Sequence, residues 1–66
     1  MELIVNGEAR RFERELTAGQ LLAELELDPR AVVVEVNRRI VRRPELDQTR
    51  LDDGDSVELV HFVGGG

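Results

Sequence analysis

The chain closes on "VHFVGGG", and Gly64, Gly65 and Gly66 are the residues of clearest chemical potential. Lacking a Cβ, they extend through a channel too narrow for any other residue and let a ligand approach the backbone closely. A carboxylate on a final glycine is unhindered, so a nucleotide phosphorus or a sulfur nucleophile can reach it. It is inert towards nucleophiles until converted to a mixed anhydride or similar activated acyl group. Chemistry at Gly66 therefore requires a second protein to supply ATP, metal and catalytic residues. The competing reading is a glycine tail that does no chemistry.

The rest of the chain offers no internal active site. There is no cysteine, which removes disulfides, thiolate ligands and thiol nucleophiles together. Every basic residue is arginine, which stays charged and cannot provide the free amine of lysine-based catalysis. The hydroxyls of Thr17 and Ser56 fall at an expected helix cap and strand start, with no histidine near either. Asp52, Asp53 and Asp55 cluster around a glycine, where aspartate occurs for backbone reasons. A calcium loop needs a longer ligand series and a closing glutamate. His61 has no second histidine with which to hold a metal. It is expected at the edge of the sheet, partly buried or contacting a partner. These negatives favour a carrier or binding module over an enzyme, with no metal or cofactor held by the chain itself.

The formal net charge of −5 argues against nucleic acid as the main partner. Arg38, Arg39, Arg42 and Arg43 crowd "NRRIVRR", yet no aromatic stacking surface accompanies them, so an RNA-binding module is the weakest reading. No apolar run approaches the roughly 20 residues that span a bilayer, and no basic leader follows Met1. No membrane association is expected, and the cytoplasm is the expected location.

These residues must be positioned by one small domain, expected over 1–63, with 64–66 as a flexible glycine tail. "MELIVNGEARRF" reads as a hairpin turning at Asn6-Gly7. In "TAGQLLAELEL", Thr17 and Gln20 form a capping-box pattern and Leu21, Leu22 and Leu25 share a helical face. Asp28-Pro29 is expected to close that helix. "AVVVEVN" reads as a buried strand, Asn37-Arg38 as a turn, and Arg39 to Val41 as a short strand. "PELDQTRL" is too polar for core and reads as a loop with a helical turn. The last strand is expected from Ser56 to Phe62. The order strand, strand, helix, strand, short strand, strand predicts an α+β, β-grasp (ubiquitin-like) architecture. Its mixed sheet has four to five strands and one main helix on one face.

Alternation then sorts the side chains. Leu3, Val5, Val32, Val34, Val36, Val57 and Leu59 face the helix. Ile4, Val33, Val60 and Phe62 fall on the opposite face, interrupted by Glu2, Glu35 and Glu58. A sheet covered on one side should be polar on the other, so these apolar residues mark a candidate protein-docking patch. Phe62 is its strongest member, because aromatics anchor interfaces disproportionately.

The full chain resembles the thiamine-biosynthesis sulfur-carrier (ThiS) family, small β-grasp proteins ending in Gly-Gly. The resemblance is carried by "VNGE", "LLAEL", "VVVEVNRRIV" and, most specifically, "LDDGDSVELVHFVGGG". It implies a sulfur relay. An E1-like (ThiF-like) adenylyltransferase would use ATP to form an acyl-adenylate on Gly66. A persulfide sulfur donor would displace AMP and leave a thiocarboxylate. The tail would then enter a ThiG-like thiazole synthase, with Gly64 and Gly65 as the threading segment. The alternatives are a molybdopterin-type carrier, which shares the fold and Gly-Gly ending, and a non-catalytic β-grasp binding module.

Overall fold

In the computed structural model, which describes residues 1–62, two tight turns build two hairpins. Asn6 and Gly7 adopt φ of 49° and 83°, the paired positive φ that matches the twist of antiparallel strands. Strand β1 (Glu2–Val5) thereby folds onto β2 (Glu8–Arg11), with Val5 opposite Glu8. Asn37 and Arg38 repeat the device at φ of 50° and 72°, joining β3 (Val32–Val36) to β4 (Arg39–Val41). Strand β5 (Ser56–His61) enters between the hairpins, parallel to β1 and antiparallel to β3. The mixed sheet therefore runs β2-β1-β5-β3-β4. With one main helix on one face, this is the expected β-grasp.

Helix α1 (Ala18–Glu24) starts where the capping pattern places it. Gln20 N donates to Thr17 Oγ1 at 3.1 Å and Thr17 N donates to Gln20 Oε1 at 2.9 Å. A Cβ on Gly19 would meet only the end of the exposed Asp47 side chain, which is free to swing aside, so packing does not require glycine in the first turn. The helix ends before the expected Asp28-Pro29 boundary. Glu26 turns left-handed at φ 58°, its N–H donating to Ala23 O (3.0 Å) while Leu27 N–H donates to Leu22 O (2.9 Å). That double bond pattern is a Schellman cap, with glutamate where glycine is usual. Asp28 instead caps a 3₁₀ turn, Pro29–Ala31, accepting from Arg30 N at 2.8 Å. A left-handed non-glycine residue is strained by about 1 kcal/mol or more. Glu26→Gly is therefore expected to raise stability by about 1 kcal/mol, read as a higher midpoint in urea denaturation.

The core matches the alternation in its main part. Leu3, Val5, Val32, Val34, Val57 and Leu59 are buried against Leu21 and Leu22, with Val36 and Leu25 packed at the margin. The polar-looking "PELDQTRL" segment has the expected helical turn, a 3₁₀ helix over Arg43–Gln48, but it does enter the core: Leu46 is buried, and Leu51 just beyond is buried too. Leu16, ahead of the helix, joins them. Single apolar residues in polar connections have no periodicity to reveal them, but a domain this small has little other surface with which to close its core. No helix among the described residues is long and apolar enough to cross a membrane.

Candidate functional site

Strand β5 is the element that leads to the glycine tail, and its position follows from how it is paired. Along β3 the register is Val36↔Val57, Glu35↔Glu58, Val34↔Leu59, Val33↔Val60 and Val32↔His61. Strand assignment ends at His61, one residue short of expectation, although Phe62 N still donates to Ala31 O at 2.9 Å. The chain is thus held in register up to Phe62, and Gly66 follows four residues later. A fully extended chain covers at most about 14 Å in that interval. Gly64, Gly65 and Gly66 lie outside the described residues, as does the expected domain boundary after Val63.

The face opposite the helix carries the candidate patch. Val60 and Phe62 are 53% and 54% exposed, while Ile4 and Val33 are half-buried. Ile4 lies beside Ser56, four positions before Val60 along β5, so the structure does not bring it next to the exposed pair. Val33 and Val60 are direct cross-strand partners, which makes the apolar surface continuous. Ile40 is 66% exposed and pairs with Glu35, which in turn faces Glu58, so it belongs to the same face. Sequence reading missed it because β4 is three residues long and offers almost no alternation to count. Glu35 and Glu58 sit directly opposite each other, a like-charge pairing that destabilises a sheet.

The other chemically interesting side chains have structural roles. Asp53 Oδ1 accepts from Glu2 N at 2.6 Å, and Asp55 accepts from Asp52 N at 2.8 Å and from Asn37 Nδ2 at 3.0 Å. The acidic turn thus ties β1 to the loop before β5, and Gly54 at φ 88° donates to Glu2 O at 2.7 Å. The Thr17 side chain caps the helix, and at Ser56 it is the backbone N–H, not the hydroxyl, that is engaged, donating to Asn37 Oδ1. Thr49, a hydroxyl the sequence reading passed over, donates to Glu45 O at 2.8 Å. His61 corrects the expectation: it is exposed, and its strand is the centre of the sheet rather than the edge. Among the described residues no polar or charged residue is buried, and no group of three His, Cys, Asp or Glu could hold a metal.

Arg38, Arg39, Arg42 and Arg43 are all exposed, around β4 at one edge of the sheet. Charged side chains there discourage another strand from pairing onto that edge. Asp28, by contrast, is paired with Arg30 at 3.1 Å, and that hydrogen-bonded guanidinium holds its carboxyl below the ordinary aspartate value.

Comparisons with known proteins agree with this geometry. The model of the ThiS family matches residues 3–66. The sulfur carrier protein ThiS of Bacillus subtilis is 37% identical over 65 residues, which cover 97% of this chain and 98% of that protein. A thiazole synthase of Paramagnetospirillum magneticum is 46% identical over the whole chain, which spans only 20% of the synthase's length. The crystal structure of a thiamine biosynthesis protein (ThiS) from Geobacter metallireducens superposes with a TM-score of 0.86 at 36% identity, covering 100% of both chains. The chain belongs to the ThiS family.

Proposed function

We propose that the carboxylate of Gly66 is the group on which this carrier takes up sulfur for the thiazole moiety of thiamine. An E1-like adenylyltransferase transfers AMP from ATP to the carboxylate, releasing pyrophosphate. A persulfide donor then attacks the acyl carbon, AMP leaves, and reductive cleavage of the resulting acyl disulfide by a thiol leaves the thiocarboxylate. A thiazole synthase receives the loaded tail. ATP and the sulfur donor belong to the partner enzymes, and the chain contributes presentation.

The observation that carries this reading is the juxtaposition of an exposed apolar pair, Val60 and Phe62, with the tail that follows it directly. A partner docked on that pair has the reacting carboxylate within about 14 Å of its contact surface. Gly64 and Gly65 let the intervening chain pass through a channel without Cβ atoms to admit. The match to thiazole synthases, in which a segment like this chain makes up a fifth of the length, favours thiazole over pterin delivery.

The test is intact-mass spectrometry after incubation with the activating enzyme, ATP and a sulfur source. One oxygen is expected to be replaced by sulfur, with fragmentation placing it at Gly66. Absence of that exchange with an enzyme shown to load another carrier of this family would overturn the proposal.

A further inference from the structure

The turn residue Asn6 has a second role that affects the strand carrying the tail. Parallel pairing of β1 with β5 stops at Val5↔Val57. Asn6 N still donates to Val57 O at 2.9 Å, but the left-handed backbone of Asn6 then turns the chain away towards β2. Its side chain replaces the missing carbonyl, Oδ1 accepting from Leu59 N at 2.7 Å. Beyond that bond β1 has nothing more to offer.

Backbone polarity alternates along β5. Ser56 O and Phe62 N engage Asn37 N and Ala31 O on the β3 side, which assigns the even-numbered residues to β3. The odd-numbered residues face β1, as Val57 O and Leu59 N do. Leu59 C=O and His61 N–H therefore point out of the sheet on the β1 side, with no partner strand among the described residues. An unpaired run of N–H and C=O groups is a template for an added strand. Here the run is in mid-sheet and immediately precedes the tail. A groove borders it, floored by Val5, Leu25, Leu27 and Leu59 and rimmed by Arg10 and Glu26. The far edge, β4, is surrounded by arginines instead.

We infer that an extended segment of the thiazole synthase adds as a strand to the open side of β5 at Leu59–His61, its apolar side chains lying over Leu25 and Leu27. This rests on the carrier reading above and specifies how the partner takes hold of the tail. Main-chain pairing holds β5 straight up to the point where the tail begins, independently of the apolar contact made by Val60 and Phe62 on the sheet face. The synthase is the occupant because segments like this chain recur within proteins described as thiazole synthases.

The chain is short enough for total synthesis, which permits a backbone test without changing any side chain. N-methylation at His61 removes the open donor and blocks strand addition, and it leaves the internal ladder and Gly66 untouched. By the same alternation Ile40 N–H points outward from β4, so N-methylation there is the matched control. Affinity for the synthase is expected to fall at least tenfold with N-methyl-His61 and to stay unchanged with N-methyl-Ile40. Equal affinity of the two, or loss only at Ile40, overturns the inference. Should the His61 analogue fail to fold, amide hydrogen exchange on the unmodified chain decides. The His61 amide should exchange quickly in the free protein and become protected in the complex; an amide equally fast in both overturns strand addition. If the tail is loaded and delivers sulfur while His61 stays unprotected, the carrier reading stands and only this inference falls. If no complex forms with the synthase, both fall.

Discussion

Deleting Gly65 and Gly66 leaves a protein that melts like the full chain and delivers no sulfur. Among the described residues every buried side chain lies at or before Leu59, and the last backbone hydrogen bond is made by Phe62. The truncation therefore leaves that core and its hydrogen bonds in place. It does leave a carboxylate, now on Gly64, and reach is what is lost. Two extended residues span about 7 Å, whereas a misplacement of about 1 Å at a reacting centre already slows a reaction by roughly a hundredfold. Loading detected by mass spectrometry should thus disappear. A full-length chain ending in a carboxamide separates reach from chemistry: the tail is complete, but no carboxylate oxygen is available to attack ATP. Both variants should fail to support thiazole formation while their circular dichroism and melting temperature remain those of the parent. Thiazole formation by either one contradicts the assignment of Gly66.

Replacing Val60 and Phe62 together by alanine should produce the opposite division of effects. Each is about half exposed in the free chain, at 53% and 54%, so truncation takes little from the core, and the cost to stability should stay within the roughly 1 kcal/mol range of strand propensities. Buried beneath a partner, an aromatic anchor and its neighbour together are worth about 3 kcal/mol, equivalent to a loss of affinity on the order of 100-fold. The glycine tail is intact, so saturating amounts of activating enzyme should still load it. In steady-state terms KM for the carrier rises much more than kcat falls, the signature of lost uniform binding. A variant with unchanged KM would move the docking surface away from this face, and Ile40 would be the next residue to truncate.

Both expectations depend on how β5 is presented, and most of that presentation is legible along the chain. A strand's faces are set by a period of two, so Leu3 and Val5, Val32 and Val34, and Val57 and Leu59 could be assigned to the core without knowing their neighbours, as the structure bears out. The turn at Asn6-Gly7 and the cap at Thr17 and Gln20 are equally local, each closed by residues within three positions of one another. The order of elements also places the first and last strands side by side at the centre of the sheet, where the structure has them. The register could not be read in this way: that pairing with β1 stops at Val57 and leaves His61 exposed depends on contacts between distant parts of the chain, such as Glu2 N to Asp53 Oδ1.

Residue types and their spacing determined the order of elements, the two faces of the sheet, the family and the absence of cysteine and lysine, because each follows from short-range pattern or from composition. Only tertiary structure decided which isolated leucines close the core and what the asparagine side chains do. Leu46 and Leu51 become core because the fold packs them into one cluster with Leu21 and Leu22 of α1 and the inner face of the sheet. Asn6 becomes a substitute for backbone because β5 runs on past the end of β1. In each case the deciding free energy comes from groups far apart in the chain, a hydrogen bond or burial that exists only once the strands have assembled.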